Sequence, residues 1–358
     1  MSKFLLMDIG AGTIDVLYYD TESGLHYKAV SRSPILTMAE KAQGISGKLL
    51  ITGNEMGGGA ISGVLEQRAR EEEVIMSKSS AATIHHSIER VRSLGISVVD
   101  DKKAEEMKLD KTYTHLAIMD LEPERLEHMV NGMGVPFSFD VVGICAQDHG
   151  MPPDGMSHLD YRHNIFKANL DESPFPHAML YRNNEVPPTM NRLRSIAESA
   201  KRLPANEIYV MDSGMAAILG ASMDPGATKK EKIIILDVAT SHTLGAALEG
   251  GEISGFFEYH TRDITLEKLE ALLVGLGDGE LVHKQILEEG GHGAYIRSAF
   301  GFQSTEIIIA TGPKRSLIAN SGLTIALGAP LGDNMMTGTV GLLEAISRYK
   351  GLKTKSYI

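Results

Sequence analysis

Short apolar runs that close on an acidic or small polar residue recur along the chain, separated by stretches of helical spacing. The first, Phe4–Met7, ends in Asp8. Gly10 and Gly12 then allow a sharp turn, Thr13 follows, and a second β-rich run extends to Asp20. The same spacing rules predict strands over 48–53, 115–120, 139–145 and 208–212, and helices over 60–73, 81–94, 123–133 and 192–202. Ile61, Val64 and Leu65 share one face of the helix that follows the glycine-rich turn at 53–59. That turn is expected to serve close helix–strand packing, the alternative being a phosphate or substrate loop at the helix N-terminus, and His85 and His86 are expected to lie on the packing and surface faces of the 81–94 helix. Residues 101–111 are charged enough to be an exposed helix or loop. Residues 151–188 turn rich in Pro, His, Asp and Asn with no clear period, so a long functional loop or lid is expected there.

The opening pattern returns more than 200 residues later. Residues 232–248 run as an apolar strand to Asp237, a turn with hydroxyls at Thr240 and Ser241, then a second strand starting near Thr243. A hairpin whose amides form a concave electropositive nest, with a carboxylate at the strand end, suits a phosphate and its hydrated divalent cation. Two such hairpins predict two similar domains facing each other across a nucleotide cleft. A third feature is Gln147-Asp148-His149-Gly150, at the carboxyl end of a predicted strand, where open α/β sheets place ligands. Its amide, carboxylate and imidazole are enough to orient a polyol or amide and remove its proton, the alternative being a turn whose side chains cap local backbone.

Composition narrows the classes. With 358 residues, 43% of them apolar, the chain is long enough for about two domains. A net charge of −11, from 35 basic and 46 acidic residues, argues against a nucleic-acid partner. The single Cys145 excludes an internal disulfide and a cluster or zinc site held by several thiolates of this chain. No apolar run has spanning length and no signal peptide is evident, so no membrane partner and a cytoplasmic location are expected. The histidines at 149, 158, 163 and 177 match no known chelate spacing.

Asp212-Ser-Gly-Met-Ala-Ala-Ile-Leu-Gly220, followed by the strand ending at Asp237, resembles the first connecting helix and second phosphate motif of the actin, sugar kinase and Hsp70 ATPase superfamily. In that resemblance Asp8, Gly10, Ala11, Gly12 and Thr13 fall on the first phosphate motif, and residues 307–315 are similar to the adenosine motif. Residues 334–344 are similar to the second connecting helix. The implied fold is α/β, with two ribonuclease-H-like (actin-like ATPase) domains flanking a nucleotide cleft. Residues 1–224 are expected as the first domain, 225–345 as the second and 346–358 as a tail. ATP and Mg2+ are the implied cofactors. Asp8 and Asp237 would hold the metal, and Thr240, Ser241, His242 and Thr243 would meet phosphate. Thr311, Gly312, Lys314 and Arg315 would border the nucleoside. Asp212 would orient the metal or attacking water, and Asp148 or His149 would be the general base.

The 147–150 stretch also resembles the Gln-x-His-Gly of carbohydrate kinases related to xylulokinase. The overall pattern looks like a small uncharacterised family often labelled pyruvate formate-lyase activating protein. A radical activase needs three closely spaced cysteines, which this chain lacks. The expected function is a small-molecule kinase or ATP hydrolase. The alternatives are an ATP-dependent switch acting on a partner enzyme and a non-catalytic binding protein. Ala239 to His242 stands where relatives carry glycines, and Pro313 where a second glycine is usual, which gives the last of these some weight.

Overall fold

The computed structural model describes residues 2–153 and 155–352. The chain starts in a meander of β1 (Lys3–Ile9), β2 (Thr13–Asp20) and β3 (His26–Arg32), antiparallel throughout, with Asp8 opposite Asp15. Phe4 to Met7 are fully buried, as expected of a central strand covered on both faces. An inserted layer follows, with the parallel strands β4 (Leu49–Gly53), β5 (Val74–Ser77), β6 (Ser97–Val99) and β7 (Thr114–Ile118) in the order β6-β5-β4-β7. It has its own core around Ile51, Met56, Ile61 and Leu65.

The chain then rejoins the first sheet through β8 (Phe139–Ala146), β9 (Leu180–Arg182) and β10 (Ala205–Asp212), giving the order β3-β2-β1-β8-β10-β9. Next come β11 (Lys232–Val238), β12 (His242–Glu249), β13 (Glu252–His260), β14 (Gly293–Ile296), β15 (Ile307–Thr311) and β16 (Ile325–Leu327). Their order is β14-β13-β12-β11-β15-β16. Leaving aside the edge strands β9 and β14, the two sheets have one topology. Each is an antiparallel three-strand meander with two parallel strands added beside its first strand. That is the ribonuclease-H-like sheet, present twice.

Helices Ser213–Ser222 and Thr337–Tyr349 cross between the lobes. The run of small residues in the first exists for this crossing. A Cβ on Gly220 would overlap the Thr337 carbonyl, and one on Gly341 the Ala216 carbonyl. Both obstacles are backbone and cannot swing away, so Gly220→Ala is expected to cost about 3 kcal/mol, the upper end for overpacking. Calorimetric unfolding would show this as a lowered transition temperature; an unchanged transition would mean that the helices separate freely. The second helix also packs on β1 and β8, where a Cβ on Gly143 would meet Ile346 at 2.8 Å. It runs through the expected 345/346 boundary, so that tail begins inside a helix, and residues 353–358 lie outside the described residues.

Two local expectations fail. The 81–94 stretch is not one helix: short helices Lys78–Ala81 and Ile88–Ser93 flank a loop carrying Thr83, His85 and His86. Thr83 Oγ1 accepts the Met56 amide, and the Ser87 side chain caps the second helix by accepting from Arg90 N–H. The 151–188 stretch is not irregular throughout, because it contains the 15-residue helix His158–Glu172, capped by Ser157. Its buried face is Arg162, Phe166 and Leu170, and an arginine at the head of that stripe hides the period from a hydrophobicity scan. The helix over 60–73 ends at Arg68.

Candidate functional site

The β1–β2 and β11–β12 hairpins point their turns at one another across a cleft of about 780 Å³. The turns are built alike: Gly10 N–H donates to the Thr13 carbonyl at 2.9 Å, and Ala239 N–H to the His242 carbonyl at 3.1 Å. The amides at the tips, on Ala11, Gly12, Thr240 and Ser241, donate to no group among the described residues. A Cβ on Gly12 would come within 3.0 Å of the Thr240 side chain, so the two tips nearly touch.

Behind the tips stand three carboxylates lining the cleft: Asp8 and Asp15 from the first lobe, Asp237 from the second. Burial pushes Asp8 up to about 7 against a bond with Cys145, and the charge of Asp237 adds to the rise. Burial and the charge of Asp8 raise Asp15 to about 8, and Asp15 Oδ1 is buried without a hydrogen-bond partner among the described residues. Asp237 is raised to about 6 by burial, partly offset by the Thr311 hydroxyl that donates to its Oδ1 at 3.0 Å. Glycines make room for both strand-end carboxylates. A Cβ on Gly338 would overlap Asp8, and one on Gly312, at φ 90°, would lie 2.8 Å from Asp237 Oδ1. Carboxylate oxygens are the donor type that hard divalent cations take.

Two arginines also line the cleft, Arg162 buried and Arg192 largely so. Arg192 forks onto Asp120 at 2.8 and 2.9 Å and donates to the Gln147 carbonyl. Arg162 forks onto Asp212 at 2.7 and 3.3 Å, donates to the Asp148 carbonyl, and reaches Glu258 on β13 of the second lobe at 3.4 Å. Burial, the largest influence on Glu258, would raise it, but the Arg162 guanidinium together with His292 and His242 outweighs burial and holds the carboxyl well below its usual range. Gln147 Nε2 also donates to Glu258. His149, His242, His260 and His292 gather here, and burial lowers His149 to about 3 and His242 to about 4, so both are neutral at pH 7. On the wall formed by the inserted layer, Glu55 pairs with His86 at 2.9 Å.

Of the residues singled out from sequence, Asp8, Gly10, Ala11, Gly12, Thr13, Asp148, His149, Asp237, Thr240, Ser241, His242 and Gly312 all line this cleft. Thr311 stands behind it, holding Asp237. Thr243 is fully buried and bonded to Thr261 at 3.0 Å, so it faces the sheet rather than a ligand. Lys314 and Arg315 do not line the cavity: Lys314 is exposed, and Arg315 donates to the Gly328 carbonyl. Asp148 gives one carboxylate oxygen to Gly150 N–H and the other to Leu193 N–H, which makes it a clamp on its own loop. Asp212 caps the Ser213–Ser222 helix and is neutralised by Arg162. The glycine-rich turn, expected first to pack and alternatively to form a phosphate or substrate loop, lines the cleft at Gly57 to Gly59. Sequence reading missed Asp15, Glu55, Arg162, Arg192, Glu258 and His292. Only Asp15 carried a local signal, as a carboxylate placed two residues beyond a phosphate-type turn.

A family model described as "Putative pyruvate format-lyase activating enzyme (DUF1786)" matches residues 56–317. No curated protein sequence matches the chain. Among solved structures, the chain is similar to Lmo2764 of Listeria monocytogenes, described as a putative N-acetylmannosamine kinase, at 11% identity and TM-score 0.36, covering 97% of this chain and 99% of that one. The activator of 2-hydroxyisocaproyl-CoA dehydratase from Clostridium difficile, with bound ADPNP, matches at 8% identity and TM-score 0.35, covering 99% of each chain. The ROK hexokinase of Thermus thermophilus matches at 12% and TM-score 0.33, covering 98% and 99%. The ribonuclease-H-like assignment rests on the chain's own strand order.

Proposed function

We propose that this chain, which belongs to the DUF1786 family, binds Mg-ATP between its two lobes and transfers or hydrolyses the terminal phosphate. The observation carrying this reading is the pair of matched hairpins, whose tip amides, unpartnered among the described residues, and strand-end carboxylates Asp8 and Asp237 face one cleft. The fit to the group is chemical. Four amides without acceptors among the described residues suit phosphate oxygens, and cleft-lining acids with no salt-bridge partner among the described residues suit Mg2+. In this reading Asp8 and Asp237 hold the hydrated metal, residues 10–13 and 239–242 cradle phosphates, and Gly312 and Pro313 border the nucleoside. The bound metal supplies neutralisation of charge on the phosphates, and the chain supplies positioning. Asp148 and Asp212 act by fixing loops, since their carboxylates are already committed.

A second reading, an ATP-driven switch acting on a partner enzyme, is favoured by the same two commitments, which leave neither Asp148 nor Asp212 as a free base. The family description names an activating enzyme. Activation through a cluster held by this chain is excluded by its chemistry, because the sole cysteine, Cys145, is fully buried in β8.

Calorimetric titration with Mg-ATP tests the binding. The raised values of Asp8 and Asp237 mean that the free protein carries protons there that the metal must displace. Below about pH 7 affinity is therefore expected to weaken roughly tenfold per pH unit for each proton released, beyond what the nucleotide's own titration accounts for. Titrations in buffers of different ionisation enthalpy would report that release. Binding with no proton release between pH 6 and 8 would place the metal away from these acids.

A further inference from the structure

We propose that His149, His242 and His292 form a three-imidazole site for a divalent transition-metal ion of the zinc class, with its fourth position open to the cleft. The three residues come from both lobes: His149 follows β8, His242 opens β12 and His292 precedes β14. One ring nitrogen from each lies within 4.8 Å of the others, and all three line the cleft. A tetrahedral zinc site needs nitrogens about 3.4 Å apart, given metal–nitrogen bonds of about 2.0–2.1 Å, so the rings close on an ion by small side-chain rotations.

Packing alone does not account for the cluster. His242 Nε2 and His292 Nδ1 are buried with no hydrogen-bond partner among the described residues, and His292 Nδ1 stands 3.8 Å from Glu258 Oε1, beyond bonding reach. Unsatisfied buried polar atoms are costly, and two in one cluster are met together by a single Lewis acid. The rings already crowd, with His242 centred 4.8 Å from His292 and 4.7 Å from His260.

Donor type separates this site from the carboxylates at the hairpins. Imidazole nitrogens select zinc, iron, nickel or copper, whereas oxygen ligands select magnesium. Three protein ligands leave one position for water or for an oxygen of the acceptor, which the ion would make more acidic. The inference stands on the imidazoles and does not require the nucleotide reading.

The test strips the whole protein with a chelator and titrates it with Co2+, reading the visible bands of tetrahedral cobalt, then adds Zn2+ as competitor. The expected result is one Co2+ per chain, displaced by Zn2+. His149→Ala and His292→Ala should each weaken binding about 100-fold or more, on the scale by which even outer-shell losses weaken metal sites. The stacked pair His163 and His283, 3.6 Å apart at a separate surface pocket, supplies the control, and His163→Ala should bind as wild type. Absence of tetrahedral bands in wild type, or ligand variants that bind Co2+ as tightly as wild type, would overturn the proposal. Near-UV circular dichroism establishes that each variant is folded. His149→Gln gives a second reading at that position should the alanine variant not fold. Cobalt binding without any response to Mg-ATP upholds the metal site and removes the nucleotide reading; the reverse removes the metal site alone.

Discussion

Asp237→Asn is expected to abolish the thermal stabilisation that Mg-ATP gives the wild-type protein while leaving the ligand-free protein at least as stable. The two halves of this result have one cause. With ligand at 100 times its Kd, binding stabilises the folded state by about 2.7 kcal/mol, a shift of several degrees in Tm, and loss of a metal-holding carboxylate removes most of it. Without ligand the charge is a burden. Burial raises Asp237 from the usual 3.8 to about 6, so its protonated form is favoured by folding. Its contribution to stability is complete below about pH 4 and is lost as pH rises through 6. Asparagine carries no charge to bury and still offers an oxygen to the Thr311 hydroxyl. At pH 8 the apo variant should therefore melt at or above wild type, and the loaded variant below it. Asp8→Asn, across the cleft with its carboxyl at about 7, should show the same crossing over a wider pH range. Thermal shift assays with and without Mg-ATP decide the matter. Equal ligand-induced shifts in wild type and both variants would remove these acids from the site.

The crossing pattern depends on features that differed in how visible they were along the chain. Both hairpins were legible because strand, turn and strand are local. Gly10, Gly12 and Asp8 sit within a few residues of one another, and the repeat at Asp237 confirms the pattern internally. The duplicated sheet followed from that repeat. Residues joined only by folding were not legible. Arg162 reaches Asp212 and Glu258 over separations of 50 and 96 residues, and it lies in a stretch whose polar composition concealed a helix. His149, His242 and His292 share no motif because three separate strand ends bring them together. The opposite error occurred at Lys314 and Arg315, which a local match to the adenosine motif placed at the nucleoside. The turn after β15 instead sends Arg315 back to the Gly328 carbonyl. Asp148 shows a subtler limit: its place at a strand end was correct, yet its chemistry was settled by two amides, one of them 45 residues away at Leu193.

Replacing Arg162 with Met is expected to be the most destabilising change at the site, about 3–5 kcal/mol, because it strands buried charge rather than removing a favourable contact. Asp212 is fully buried and Glu258 nearly so, and Arg162 is the cation bonded to both. Methionine keeps the stem and its packing on Phe166, whose ring lies 4.2 Å below the guanidinium, so the loss measured is mainly electrostatic. Lysine should not rescue it, since one ammonium cannot reproduce a fork that meets Asp212 twice and Glu258 once. The pH dependence identifies the cause. In wild type Glu258 sits below its usual range, so it contributes stability above the unfolded carboxyl range that is lost only in strong acid. Without Arg162, burial is opposed only by His292 and His242, the carboxyl rises, and protonation relieves the stranded charge. The deficit of Arg162→Met relative to wild type should therefore be large at pH 8 and smaller at pH 5, measured by denaturant unfolding at each pH. A deficit independent of pH would point to lost packing. Because the same guanidinium ties the His158–Glu172 helix of one lobe to β13 of the other, its loss also frees the lobes to move apart. The variant should then bind Mg-ATP more weakly even at temperatures where it remains folded.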